Sequence, residues 1–127
     1  MSHKILIVED DIDDQIFFIE AINSIDPYFE CVTVGNGAEA LDHLSNTNTL
    51  PSIILLDLNM PLMNGYVFLE KIKAISDFKN IPVTIFSTST SVKDQARTKK
   101  LGAKSFFTKS ENTTDLKVAL TKILYSE

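Results

Sequence analysis

In this 127-residue chain three carboxylates, a hydroxyl and an amine each stand at the end of an apolar run. Glu9 and Asp10 follow Ile5-Leu6-Ile7-Val8. Asp57 follows Ile53-Ile54-Leu55-Leu56, with Asn59 two residues on. Ser87 follows Pro82-Val83-Thr84-Ile85-Phe86, and Lys109 follows Ser105-Phe106-Phe107-Thr108. Carboxylates gathered in one place repel, and at least one pKa rises unless a cation joins them. Mg2+ suits two or three carboxylates plus water and leaves positions for a phosphate. An Asp in that company, with a lysine and a hydroxyl, makes a set for phosphoryl transfer. Asp57 offers a carboxylate oxygen as nucleophile. Positive charge from lysine and metal offsets that of the transferring group, Ser87 donates to one of its oxygens, and positioning does most of the rest.

Each of these residues also has a purely local reading. Asp is a common cap and turn residue, so Asp57 alone is as consistent with a cap as with a chemical group. Ser87 alone is an ordinary strand-end hydroxyl, and Lys109 alone a surface lysine. The readings part only if the loops meet. The run Asp10-Asp11-Ile12-Asp13-Asp14 lacks the central Gly and distal Glu of a calcium loop. Asp13 and Asp14 read instead as a solvated helix start, where the helix dipole favours negative charge. Thr88 and Ser89 read as loop hydroxyls, and His3 and His43 as surface residues.

The elements that must position these groups alternate. Apolar runs predict strands at 4–8, 29–34, 53–56, 82–86 and 105–108; amphipathic stretches predict helices at about 11–24, 38–44, 64–76, 92–101 and 113–125. On the first helix Ile12, Ile16, Ile19 and Ile22 share a face. On the third, Val67, Leu69, Ile72 and Ile75 are the apolar positions. The fourth offers only Val92, Ala96 and Leu101, so it should dock loosely; Ser91 with Asp94 resembles a capping box at its start, and Gly102 ends it. Asn112 is placed to cap the fifth. Phe17, Phe18 and Phe78 exceed what the periodic faces need and fit core packing better than an interface. Short connections between alternating strands and helices enforce a parallel sheet with helices on both faces, an α/β doubly wound fold. In such sheets ligands bind outside the carboxyl ends of the strands. Glu9, Asp10, Asp57, Ser87 and Lys109 then fall on one edge.

The bulk numbers agree with one domain, residues 1–127, with a real core. Hydrophobic content is 44% and charged content 23%, a soluble globular balance. No run reaches membrane-spanning length, and Met1-Ser2-His3-Lys4 leads straight into a strand without a signal-peptide core, so a cytoplasmic location is expected. The single cysteine, Cys31, has no internal partner and reads as a buried strand thiol. The net charge of −5 argues against nucleic-acid binding. Against that background Lys93, Arg97, Lys99, Lys100 and Lys104 crowd one region, either as a solvated helix face or as a docking surface for an acidic partner.

Four segments, taken in order, resemble the receiver domain of two-component response regulators over essentially the whole chain. They are Ile5-Leu-Ile-Val-Glu-Asp-Asp, Leu55-Leu-Asp-Leu-Asn-Met-Pro-Leu-Met-Asn-Gly, Pro82-Val-Thr-Ile-Phe-Ser and Gly102-Ala-Lys-Ser-Phe-Phe-Thr-Lys. The resemblance implies a flavodoxin-like five-stranded sheet in the order 2-1-3-4-5, and a stand-alone receiver similar to chemotaxis regulators. It implies Asp57 as phospho-acceptor, charged by a histidine kinase or histidine phosphotransfer protein. It implies an Mg2+ site at Asp10, at Asp57, at the backbone carbonyl of Asn59, and at Glu9 through water. Ser87 is the implied hydroxyl that follows the phosphoryl group, Lys109 its salt-bridge partner, and Phe106 the aromatic switch. The face made by the fourth helix, fifth strand and fifth helix then changes shape for a downstream protein target, a two-state element biased by a local charge event. So read, the chain is a signalling phospho-acceptor and not an enzyme, taking part only in its own phosphoryl transfer and dephosphorylation.

Two departures bear on that reading. The family commonly has Pro after the lysine, with a cis peptide, whereas Ser110 follows Lys109. A cis bond without Pro costs about 2.5–4 kcal/mol, so the reach of Lys109 is in question. Phe106 also lacks the phenolic hydroxyl of a Tyr. A dehalogenase-type phosphohydrolase is the main enzymatic alternative, but it expects an Asp-x-Asp after the first strand and a cap domain. A pseudo-receiver that binds without phosphorylation is the other.

Overall fold

In a computed structural model of the chain, residues 3–125 are described. The strands are β1 (Lys4–Val8), β2 (Glu30–Val34), β3 (Ile53–Leu56), β4 (Val83–Ser87) and β5 (Ser105–Thr108). The helices are α1 (Ile12–Ile25), α2 (Gly37–Asn46), α3 (Gly65–Lys73), α4 (Val92–Lys100) and α5 (Thr113–Leu124). The strands form one sheet in the order β2-β1-β3-β4-β5, parallel at every pairing. This is the doubly wound order that the receiver resemblance implies.

Alternation along the strands divides the core into two layers. Leu6, Val8, Ile54, Leu56, Val83 and Ile85 face one side, where Ala40 and Leu44 of α2 and Phe68, Leu69 and Ile72 of α3 cover them. Ile5, Ile7, Ile53, Leu55 and Phe86 face the other, under Phe18, Ala21 and Ile22 of α1 and Leu116, Leu120 and Ile123 of α5. All four residues of β3 are buried, as befits a central strand with helices on both faces.

Several helix faces differ from the periodicity reading. On α1, Ile12 and Ile16 are 68% and 48% exposed, and the inward stripe is Phe18, Ala21 and Ile22. That stripe also obeys helical spacing, and Phe18 meets Phe86 edge-on at 5.0 Å, so the larger side chain sets the rotation. On α3 the buried set is Phe68, Leu69 and Ile72, while Val67 and Ile75 are exposed. That helix stops at Lys73, short of Ser76. Beyond it the amides of Phe78 and Lys79 bond the Ile75 carbonyl, a turn that buries Phe78. On α4 neither Val92 nor Ala96 is buried; Thr98 is, and Leu101 beyond the helix is half-buried. Cys31 is half-buried, not fully so, because β2 is the sheet's edge. His43 is likewise half-buried, and burial and nearby Lys4 lower its pKa.

Five helix starts are capped by the residue type expected of a cap. Asp11, Asn36, Asn64, Ser91 and Asn112 each accept a backbone N–H from the first turn. These local bonds fix where each helix leaves the carboxyl edge of the sheet.

Candidate functional site

The strand ladder itself places the chemistry. Val8 is paired with Leu56, so Glu9 and Asp57 leave neighbouring strand ends side by side. The ladder runs one step further: Asp57 N donates to Val8 O at 3.0 Å, and Glu9 N to Val34 O at 3.0 Å. Ser87 ends β4 beside β3. It is paired with Thr108, and the next residue, Lys109, donates its amide to Ser87 O at 2.7 Å. Glu9, Asp57 and Ser87 are buried, while Asp10 is exposed at the mouth. Carboxylate oxygens of Glu9, Asp10 and Asp57 lie within 4.8 Å of one another.

Lys109 crosses this group. Its Nζ lies 2.5 Å from Glu9 Oε1, 3.0 Å from Asp14 Oδ2 and 3.7 Å from Asp57 Oδ1. Asp14 is therefore not a merely solvated helix residue. The Asp11 cap sets α1 so that its first turn sits over the acid edge, and Asp14 closes on the lysine. The Lys109–Ser110 peptide is trans, as are all described peptide bonds, and Lys109 spans the site in that geometry. Ser110 acts locally, since its Oγ accepts Asn112 N at 3.1 Å and so shapes the turn into α5.

The electrostatics follow from crowding and burial. Burial pushes the Glu9 carboxyl up to about 7, with the Asp57 charge adding to it and the Lys109 hydrogen bond opposing. Burial also raises the Asp57 pKa; Lys109 opposes this, the Asp10 charge adds to it, and backbone amides of Asn59 and Leu58 oppose. Burial works against the Lys109 charge, but its hydrogen bonds to Glu9 and Asp14, with the field of Asp57, outweigh it and raise its pKa. One ammonium cannot balance Glu9, Asp10, Asp14 and Asp57. The donor set is all oxygen, negatively charged and open to solvent at Asp10, which fits a small hard cation.

The family model for the response regulator receiver domain matches residues 5–121. The chain belongs to the response regulator receiver family. Sporulation initiation phosphotransferase F of Bacillus subtilis is 32% identical over 124 residues, covering 98% of this chain and 95% of that protein. Response regulator Rcp1 of Synechocystis sp. is 32% identical over 117 residues, covering 88% of this chain and 80% of Rcp1. The crystal structure of Mn2+-bound Rcp1 superimposes with a TM-score of 0.88, at 28% identity, over 98% of this chain and 96% of that one. That of the phosphorylated cyanobacterial phytochrome response regulator RcpA gives 0.89, at 32% identity, over 99% and 96%. The receiver also matches 74 residues of the sensor histidine kinase CheAY of Helicobacter pylori at 34% identity; this is 58% of the chain but only 9% of that protein's length.

Beyond the acids, the receiver has a polar chain that its sequence did not announce. Ser87 Oγ accepts the amide of Ser89 at 3.1 Å. Ser89 Oγ donates to Asp94 Oδ2 at 2.6 Å, and Tyr66 Oη donates to Asp94 Oδ1 at 2.5 Å. The Arg97 guanidinium stacks 3.8 Å over the Tyr66 ring. Asp94 thus does not return to the α4 cap as a capping box requires; the hydroxyl of Ser89 bonds Ser91 N instead. The hydrogen bonds from Ser89 and Tyr66 lower the Asp94 pKa. Asn59 is exposed, and its backbone amide acts on the Asp57 carboxylate to lower that pKa. Phe106 lies on β5 opposite Ile85, half-buried against the core layer under α2 and α3.

Proposed function

We propose that Asp57 is the phospho-acceptor of this receiver and that its phosphorylation switches the α4–β5–α5 face. The observation that carries the reading is the union of Glu9, Asp57 and Lys109 within ion-pair reach, from positions about a hundred residues apart. An Asp57 carboxylate oxygen attacks the phosphorus of a phosphohistidine on a histidine kinase or phosphotransfer protein. The P–N bond breaks, its electron pair stays on the imidazole nitrogen, and an acyl phosphate remains on Asp57. Lys109 moves from the buried acids toward the new dianion, and the Ser87 hydroxyl turns to donate to a phosphoryl oxygen. Glu9, Asp10 and Asp57, with the Asn59 carbonyl, would hold Mg2+. When bound, Mg2+ offsets negative charge at the acceptor. Phe106 occupies the space that Ser87 leaves.

Ile12, Ile16 and Leu62 are large, exposed apolar side chains on the segments that leave the acid edge. They suit docking of the phosphodonor protein, and the role is signalling by protein contact. Among the described residues no helix is long and apolar enough to cross a membrane.

Incubation with Mg2+ and acetyl phosphate, or with a cognate kinase, should yield a base-labile acyl phosphate that Asp57→Asn abolishes. Labelling that survives Asp57→Asn, or no labelling at all, would sink the reading. Steady turnover of small phosphate esters would favour a phosphohydrolase instead.

A further inference from the structure

One carboxylate at the acid edge reaches the site through another residue. Carboxylate oxygens of Glu9, Asp10 and Asp57 gather within 4.8 Å of one another, and Asp14 stands outside that group. Its Oδ2 meets the Lys109 ammonium instead, at 3.0 Å. An ammonium has three N–H groups to donate. Lys109 gives one to Glu9 and one to Asp14. Asp57 lies at 3.7 Å, an ion pair too long for a hydrogen bond. The cation is therefore bonded to two neighbours of the acceptor and only paired by charge with the acceptor itself.

The fold of α1 does not require this contact. Asp11 caps the helix by accepting Asp13 N and Asp14 N, and Asp13 already places negative charge in its first turn. The Asp14 side chain is 39% exposed, and an ion pair with so exposed a partner adds little to stability. What it fixes is the place of Lys109, which is itself 17% exposed. A cavity of about 30 Å³ lined by Asp14, Phe17, Phe18, Phe86, Lys109 and Leu116 adjoins the pair. The lysine stem has room there to shift, so the charges around the ammonium decide where it sits.

We propose that Asp14 is a positioning residue that parks Lys109 on the α1 side of the acid edge and so sets how readily Asp57 takes a phosphoryl group. This role deepens the acceptor reading above and rests on it. A phosphoryl group adds negative charge at Asp57 and places its oxygens farther out than the carboxylate. Lys109 must turn from Asp14 to reach them. Asp14 then opposes the phosphorylated state in two ways. It holds the cation that state needs, and once left its own charge faces the new group. Glu9 is poorly placed to act as this brake, being 2% exposed and one of the three clustered acids. Asp14 is open enough to be hydrated when Lys109 leaves it, which keeps the brake modest.

The test titrates beryllofluoride, a phosphoryl mimic, into the full chain at saturating Mg2+, and follows the lysine ammonium resonances by NMR. Asp14→Asn should lower the beryllofluoride midpoint about threefold to fivefold, the upper part of what a partly exposed ion pair supplies. Asp14→Ser should do the same, and Asp14→Glu should restore the parental midpoint. Asp13 carries the same charge on the same turn and is exposed. Asp13→Asn should change the midpoint by about 1.5-fold or less, because solvent screens it. Before any addition, the Lys109 signal, assigned by its loss in Lys109→Arg, should shift in Asp14→Asn and stay in place in Asp13→Asn. An unchanged or raised midpoint in Asp14→Asn and Asp14→Ser, equal tightening by Asp13→Asn, or a Lys109 signal indifferent to Asp14→Asn overturns the proposal. Labelling by acetyl phosphate separates the two readings; there the Asp57 oxygen attacks phosphorus and acetate leaves with the electron pair of the broken P–O bond. A parent labelled on Asp57 with indifferent Asp14 variants ends the positioning role and leaves the acceptor standing. A parent that is not labelled ends both.

Discussion

Gly65→Ala tests whether the loop after Asp57 is held as tightly as the structure indicates. Gly65 is the first residue of α3, and its amide donates to Leu58 O at 2.9 Å. A Cβ built there would lie 2.8 Å from Leu58 Cα and 3.1 Å from the Asp57 carbonyl carbon, closer still to the Asp57 carbonyl oxygen. Favourable carbon contacts lie at about 3.5–4.0 Å, so the loop must shift by roughly 0.7 Å or more. The obstruction is backbone, which cannot rotate away as a side chain can. Ala gains about 1 kcal/mol in helix propensity over Gly. Overpacking costs about 1–3 kcal/mol and falls at the upper end where backbone must move. The net expectation is a loss of about 1–2 kcal/mol, and with it weaker Mg2+ binding, because the shifted loop carries the Leu58 and Asn59 amides that meet the Asp57 carboxylate. The chain has no tryptophan, so urea unfolding is followed by circular dichroism and Mg2+ binding by calorimetry. The urea midpoint should fall with an unchanged slope. Gly35→Ala is the control, since the nearest atom to its Cβ is the end of the exposed Glu39 side chain rather than backbone. A Gly65→Ala protein as stable as the parent, with unaltered Mg2+ affinity, would refute the reasoning.

Two further outcomes follow from the same site. The raised Glu9 pKa means that, without metal, the folded state keeps a proton between about pH 4.5 and 7 that the unfolded state has lost. Metal-free stability should therefore fall as pH rises through that window, and the raised Asp57 pKa acts in the same direction. Mg2+ should restore stability most above pH 7, where Glu9 is ionised; thermal melts on a pH series with and without Mg2+ check both signs, and a melting temperature indifferent to Mg2+ at pH 8 would count against the metal site. Tyr66→Phe removes the hydroxyl that holds Asp94 and frees the Ser89–Ser87 loop. By reciprocity it should raise beryllofluoride affinity in a Mg2+ titration, and a lowered affinity would show that the Tyr66 bond belongs to the phosphorylated arrangement.

Much of the architecture was legible because it rests on short-range physics. The all-apolar run of β3 requires cover on both faces, and the caps at Asp11, Asn36, Asn64, Ser91 and Asn112 satisfy amides within their own first turns. The rotation of α1 was not legible. Ile12 with Ile16 and Phe18 with Ala21 and Ile22 are both helical stripes, and only the fit of Phe18 against Phe86 chooses between them. The same holds for α3, where Phe68 displaces Val67 from the core. Those exposed isoleucines beside the acids are what a periodicity reading assigns to the interior.

For the site, the sequence alone determined the residue types and their strand-end places: Glu9, Asp10, Asp57, Ser87 and Lys109 each close an apolar run, and parallel pairing then puts them on one edge. Only the tertiary structure decided who touches whom. It turned Asp14 from a helix-start charge into a partner of Lys109, and Asp94 from a cap into the acceptor for Tyr66 and Ser89. It also carried Lys109 to Glu9 and Asp57 through a trans Lys109–Ser110 bond. The physical reason is that strand ends are set by backbone periodicity, which a sequence displays, whereas the direction of a long polar side chain is set by competition among charges that meet only after the sheet has formed.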